Sequence, residues 1–509
     1  MRKYFSLICI LLLFGCKKDP IIMPPVTDPV TTKYGFKLEA AKNPGKISQD
    51  VELSIEGDKI KGYTPSFEDN HKFVLSFAFE DSLSVVKIGD KIQVSGITQN
   101  DFTKPVNYTV TDSKGNVKDY AVTIYDFTGL PIFYITTSGP VVSKEDYVTG
   151  SLKINPNVDF EQDGAEMPLQ IKGRGHSTWS LHPKKPYKIK LDEKASLFGL
   201  KAAKNWVLLA NHSDKTLMRN YLAYNLSQQM KGDFAPHGIF VEVILNGQSV
   251  GNYLLCEQVE IKSGRVDITE METGDASGDA LTGGYLLELD QHQDSEFMFK
   301  TTSGLPFSIK DPEEITPVQL EYIHNYVQQT ENAILAANFA DPVNGYAKYI
   351  NTDSFINWFL LNELFKNQDA QNYSSIYYFK DRGGKMGMGP AWDFDLGAGN
   401  VDYSDATKPE GWWVKDGLWM HRLYEDPAFK AKVRDRWNQL KTTELPAFHK
   451  SISDTKKYLT ESAKQNFTTW NILGTYVWPN PVVLGTYPKE VEQLDHWFTQ
   501  REAWLDANL

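Results

Sequence analysis

Carboxylates and amides crowd two short runs of this chain. Asp369 and Asn372 lie in Asn367-Gln368-Asp369-Ala370-Gln371-Asn372, and Asp393 and Asp395 lie in Trp392-Asp393-Phe394-Asp395. Each Asp alone reads as a turn or cap residue. Together, two or three carboxylates and an amide make an oxygen-rich site for a hard cation, Mg2+ or Mn2+. Between the runs the sequence predicts a strand over residues 375–380, the turn Asp381-Arg382-Gly383-Gly384 and a second apolar stretch. If the two stretches pair as a hairpin, their outer ends meet and bring Asp369 and Asn372 to Asp393 and Asp395.

A second polar group lies upstream. Gly173-Arg174-Gly175-His176-Ser177 falls between predicted strands 169–173 and 187–191. Such a loop offers the N–H donors and cation that phosphates require, though it is not a full G-x-G-x-x-G. In the next strand Tyr187, Ile189 and Leu191 share one face while Lys188 and Lys190 share the other. Lys188 ranks ahead of Lys190 as a phosphate partner, and a solvated edge lysine is the alternative for either. Cys256 reads as a small buried hydrophobe. Trp412, Trp413 and Trp419 read as packing residues before a sugar platform.

These groups need elements to hold them. Residues 353–365 form a helix apolar almost all round, which belongs inside a lobe. Other helices are predicted over 214–230 with Asp214 as N-cap, and over 318–336, 427–440, 448–465 and 489–508. Asn246-Gly247 marks a hairpin between strands 242–245 and 253–256. Strands and hairpins dominate from 129 to about 290, and helices after about 316. A β-rich lobe followed by a helical lobe, with a cleft between them, is the expected architecture. A buried helix, a polar loop with Asp, a hairpin and a second Asp is also the order of catalytic and metal loops in protein kinases. Neither H-R-D nor D-F-G occurs here.

Six segments in order resemble the CotH-type atypical kinases. They are 172–179 (Lys-Gly-Arg-Gly-His-Ser-Thr-Trp), 184–190 (Lys-Lys-Pro-Tyr-Lys-Ile-Lys), 206–215, 245–257, 283–288 (Gly-Gly-Tyr-Leu-Leu-Glu) and 392–395. The resemblance spans roughly residues 130–505. It implies a distant kinase-like fold and ATP- and Mg-dependent phosphorylation of protein Ser or Thr. Asp369 matches the family's catalytic Asp and Asp393 its metal-binding Asp. Asn372 and Asp395 are the further metal candidates, and Arg174, His176, Ser177, Lys188, Lys190, Arg219 and Glu257 the nucleotide candidates. The helix over 214–230 contains no Glu to pair a lysine and offers Arg219 instead. Glu257 and Glu288 are the candidate replacements.

The N-terminus bounds the compartment. Arg2 and Lys3 precede an apolar run from Leu7 to Phe14, too short to span a bilayer and suited to a signal peptide. Leu13-Phe14-Gly15-Cys16 resembles a bacterial lipobox, which would leave Cys16 lipidated and the chain on the outer membrane, facing the periplasm or the surface. Residues 16–32 contain Pro20, Pro24, Pro25 and Pro29 and read as a tether. With Cys9 and Cys16 so assigned, Cys256 is alone and no intrachain disulfide is expected. Residues 33–128 alternate short strands, among them 50–54, 73–79, 91–95, 108–111 and 120–125. They suggest an Ig-like β-sandwich, similar to modules of Bacteroidetes surface lipoproteins and suited to a spacer.

The fold class expected is therefore α+β: a β-sandwich at 33–128, then an atypical kinase-like domain at 129–509. The 509 residues carry a net charge of −12, which argues against nucleic-acid binding. The expected partner is a protein with Ser or Thr, the membrane is met only through the lipid, and the chain is a monomer. Two other readings stay open. One is a surface binding or scaffold protein on a catalytically lapsed kinase-like fold. The other, least favoured, is a glycoside hydrolase with paired carboxylates.

Overall fold

The computed structural model describes residues 32–65 and 71–509. The signal, Cys16 and all of the tether but Thr32 lie outside the described residues. The chain divides into two compact units, the first ending at Ile124 and the second running from Tyr125 to Leu509.

Alternating apolar residues turn the first unit into strands around one core. Eight strands run in the order Ser76–Phe79, Thr32–Leu38, Val51–Glu56, Lys59–Thr64, Val117–Asp126, Val106–Thr111, Val85–Ile88 and Lys91–Ile92. Lys72–Val74 pairs separately with Gln99–Asp101. Phe36, Phe73, Tyr108, Tyr120 and Val122 are fully buried between them. The strand expected over 73–79 is interrupted at Leu75, and the one expected over 91–95 shortens to Lys91–Ile92.

The second unit is mixed α+β, and its β-rich half is a closed barrel of seven strands with a separate five-stranded sheet. The barrel order is Ile132–Thr137, Val148–Asn155, Met167–Gly173, Tyr187–Ala195, Ala203–Leu209, Gln248–Glu257 and Gly238–Leu245. Parallel pairing of Phe133 with Val243 closes the ring. The period of two decides what each strand buries. Ile171, Ile189, Trp206, Leu208 and Leu255 form one apolar cluster, and Val207, Leu254 and Cys256 join the larger core of the helices. Asn246 and Gly247, both at positive φ, make the tight turn that the dipeptide predicts.

The five-stranded sheet runs Met298–Lys300, Pro306–Asp311, Tyr285–Leu289, Ile376–Lys380 and Met386–Met388. Its last two strands are the expected hairpin, with Tyr378 opposite Met388 and Lys380 opposite Met386. The apolar helix is Thr352–Phe365, buried along almost its whole length and capped by Asn351, whose side chain accepts from Ser354 N. At its far end Glu363 is buried against Arg501 of the last helix, Tyr487–Asn508, at 2.5 Å.

Two predicted helices need correction. The helix expected over 214–230 begins only at Arg219. Asp214 still serves its start, accepting from Arg219 N at 2.8 Å, but from five residues away. The helix expected over 448–465 is two helices, Leu445–Tyr458 and Thr460–Thr469, which meet at the buried Leu459. Tertiary contacts set the second direction. Ser462 donates to Glu242 at 2.5 Å and accepts from Asn252 at 2.8 Å, both on barrel strands.

Candidate active site

The apolar helix stops where Lys366 turns left-handed at φ +46°. Asn367 follows, and its amide donates both to Asn362 Oδ1 and to the carbonyl of Asp393, each at 3.1 Å. One side chain thus ties the two acidic runs together. Asp369 lies in a single 3-10 turn, Gln368–Ala370, while Asp393 sits at φ +63°. That conformation is uncommon for a residue with a Cβ and has to be held by its surroundings. Besides Asn367, the hydroxyl of Ser375 donates to Asp393 Oδ2 at 3.4 Å. The N–H of Phe394 donates to Asn220 Oδ1 at 2.7 Å.

The carboxylates feel one another. Burial, then the charge of Asp393, raises the pKa of Asp369 to about 7. Burial, then Asp393 and Asp369, holds Asp395 well above the ordinary carboxylate range, and its carboxyl also hydrogen-bonds that of Asp393. Coupled like charges favour a proton or a cation. Asp393 and Asp395 offer oxygens of the kind a hard divalent ion takes, while the ligand atoms of Asp369, Asp393 and Asp395 do not all come within 4.8 Å of one another.

Asn372 is not brought to that group. Its side chain faces Gly417, where an added Cβ would stand 3.2 Å from its Oδ1. Asn367 is better placed, because its Oδ1 is buried without a hydrogen-bond partner among the described residues. The signal was in the sequence, since Asn367 belongs to the same polar run as Asp369.

The upstream residues divide into those near the acidic group and those engaged elsewhere. The guanidinium of Arg174 lies 5.5 Å from the centre of the Trp392 ring, beside Asp393 in sequence. Gly173 is required by packing, since a Cβ there would strike the Trp179 ring at 2.2 Å. His176 stacks on His292 with ring centres 3.9 Å apart, and Ser177 opens the short helix Ser177–Leu181. Lys188 pairs with Val207 in register, and burial lowers its pKa despite Glu260. Lys190 is exposed.

Arg219 is buried and fully engaged. It pairs with Asp214 at 2.5 Å and donates to the carbonyls of Gly397 and Ala398, so it grips the loop after Asp395. Glu257 accepts from both the backbone N and the ring of His237 at 2.8 Å. Glu288 pairs with Lys310 at 2.9 Å and accepts from Ser375 N at 3.1 Å. Burial works against the Lys310 charge, but Glu288 outweighs it and raises its pKa. Sequence reading missed Lys310 because strand pairing, not spacing, brings it to Glu288.

The family model for CotH kinase proteins matches residues 170–505, two thirds of the chain, with all the acidic residues above. The chain belongs to the CotH kinase family. The match begins within the CotH barrel and leaves the first unit outside. Among solved structures, a Bacteroides thetaiotaomicron protein described as a putative glycoside hydrolase is similar at 12% identity, over 58% of this chain and 88% of that one, with a TM-score of 0.16. No curated protein matches.

Proposed function

We propose that this CotH-family protein transfers the γ-phosphate of ATP to Ser or Thr hydroxyls of a protein substrate, with Mg2+ as the cation and Mn2+ as its substitute. The observation that carries the reading is the electrostatic coupling of Asp369, Asp393 and Asp395 at the meeting point of two loops. Bound Mg2+ supplies the positive charge that nucleotide phosphates need in transfer. Asp393 and Asp395 would hold it, with the unpaired Oδ1 of Asn367 as a further oxygen.

Asp369 orients the acceptor hydroxyl and takes its proton. Its pKa of about 7 suits a group that must accept a proton near neutral pH. Arg174, His176 and Ser177 offer donors for phosphate, and Lys188 and Lys190 offer charge. Arg219 acts through the metal loop and is a positioning residue, whereas Glu257 is engaged by His237. Anchorage through Cys16, on the outer membrane and facing the periplasm or surface, is part of the proposal. Calorimetry of ATP with and without Mg2+ tests it. Mg-dependent binding is expected, and a protein that ignores nucleotide would favour a scaffold role.

A further inference from the structure

We propose that His176, Asp290 and His292 form a second metal site, for a late first-row divalent cation of the Zn2+ type, separate from the carboxylates Asp393 and Asp395. One ligand atom from each of these residues lies within 4.8 Å of the other two. Tetrahedral Zn2+, with bonds of about 2.0–2.2 Å, sets its donors roughly 3.4 Å apart. The widest of these separations would thus close by up to about 1.4 Å.

The donor types select the ion. Imidazole suits Zn2+ and its neighbours, whereas Mg2+ prefers oxygen and water. Asp290 is buried, and its Oδ1 accepts from the backbone N of His292 at 3.0 Å and meets His292 Nδ1 at 2.6 Å. An ion would take the place of the proton between them, so that Asp290 Oδ1 and His292 Nδ1 face it together as two of its donors. His176 keeps 43% of its side chain exposed and is the ring free to turn. It has to turn: the two rings are only 7° from parallel, and each lone pair lies in its own ring plane. Asp294 is a further oxygen nearby, 3.7 Å from His176 Nε2.

Such an ion would staple separate parts of the cleft. His176 belongs to the glycine loop between two barrel strands, and His292 follows the sheet strand Tyr285–Leu289. Gln291 between Asp290 and His292 donates to the carbonyls of Tyr373 at 2.7 Å and Asn372 at 3.2 Å, in the loop that carries Asp369. Occupancy would therefore fix the glycine loop against the catalytic loop.

The test uses detergent-purified, tag-free full chain stripped with a chelator and titrated with Co2+, followed by its visible absorption and by Zn2+ displacement. The wild type should develop the intense bands of a low-coordinate Co2+ site, and Zn2+ should abolish them. His176→Ala and His292→Ala should each weaken binding by about 10-fold or more. Both side chains are partly exposed, so both variants should melt like the wild type. Asp393→Asn should keep the Co2+ bands. Unchanged Co2+ binding in the His176→Ala/His292→Ala double variant overturns the site, as does a wild type that binds none. Loss of the bands in Asp393→Asn alone would assign the ion to the carboxylates and also overturn it. Failure of the wild type to bind Mg-ATP would instead count against the kinase reading and leave this result standing.

Discussion

Asn220, in the first turn of the helix Arg219–Gln229, accepts a hydrogen bond from the backbone N–H of Phe394 at 2.7 Å. That contact, with the neighbouring bonds from Arg219 to Gly397 and Ala398, makes this helix the clamp of the loop that carries Asp393 and Asp395. The helix holds no Glu, and what it supplies is this grip on the loop.

Asn220→Ala should therefore act at a distance. The buried N–H of Phe394 loses its acceptor, a loss worth about 1–3 kcal/mol. Urea unfolding should show that cost, and Mg-ATP affinity should fall although no ligand has been removed. Unaltered affinity in a destabilised protein would show that the loop holds its shape without the clamp.

The pair Glu363–Arg501 should be far more costly to break on one side than to replace. Arg501 is fully buried and also donates to the carbonyls of Glu363, Pro409 and Gly411. Arg501→Met leaves Glu363 charged and buried, which should destabilise by about 3–5 kcal/mol. Glu363→Gln added to it should recover part of that loss in denaturant titrations.

His449 links two helices, with Nδ1 2.8 Å from Asp495 and Nε2 2.9 Å from Glu502. The Glu502 bond, helped by Asp495, outweighs burial and raises its pKa to about 9 from 6.5. A raised histidine gives stability that is whole below the unfolded value and fades as pH rises through the folded one. The advantage of wild type over His449→Gln should thus be full below about 6.5 and gone above about 9. Paired thermal melts across that window check the sign, and an advantage that grows with pH would refute it.

Cys16 should carry the membrane anchor. Metabolic labelling with a palmitate analogue should mark the wild type and not Cys16→Ser, and equal labelling of both would end the lipoprotein reading.

The hairpin between the acidic runs was legible because its cues are local. Gly383-Gly384 mark the turn, and apolar runs on either side mark the strands. The Asn246-Gly247 turn was legible for the same reason. What escaped was set by long-range pairing. Glu288 meets Lys310 only because Tyr285–Leu289 lies beside Pro306–Asp311. Asn372 looked like the metal amide by spacing, yet its left-handed backbone sends the side chain toward Gly417. The Leu459 break was invisible because neither Gly nor Pro marks it, and buried contacts of Ser462 set the new direction.

The most direct test separates the two carboxylate loops. Asp369→Asn should leave Mg-ATP binding nearly intact and remove most phosphate transfer to a Ser/Thr-rich substrate. Asp393→Asn should weaken Mg-dependent nucleotide binding itself, by about 10-fold or more by analogy with losses around other metal sites. Both should stay folded, because Asn keeps the shape and relieves repulsion among the carboxylates. Calorimetry with Mg-ATP beside a transfer assay reads both effects. Binding without turnover is the expected result for Asp369→Asn, and normal transfer by that variant would contradict the account.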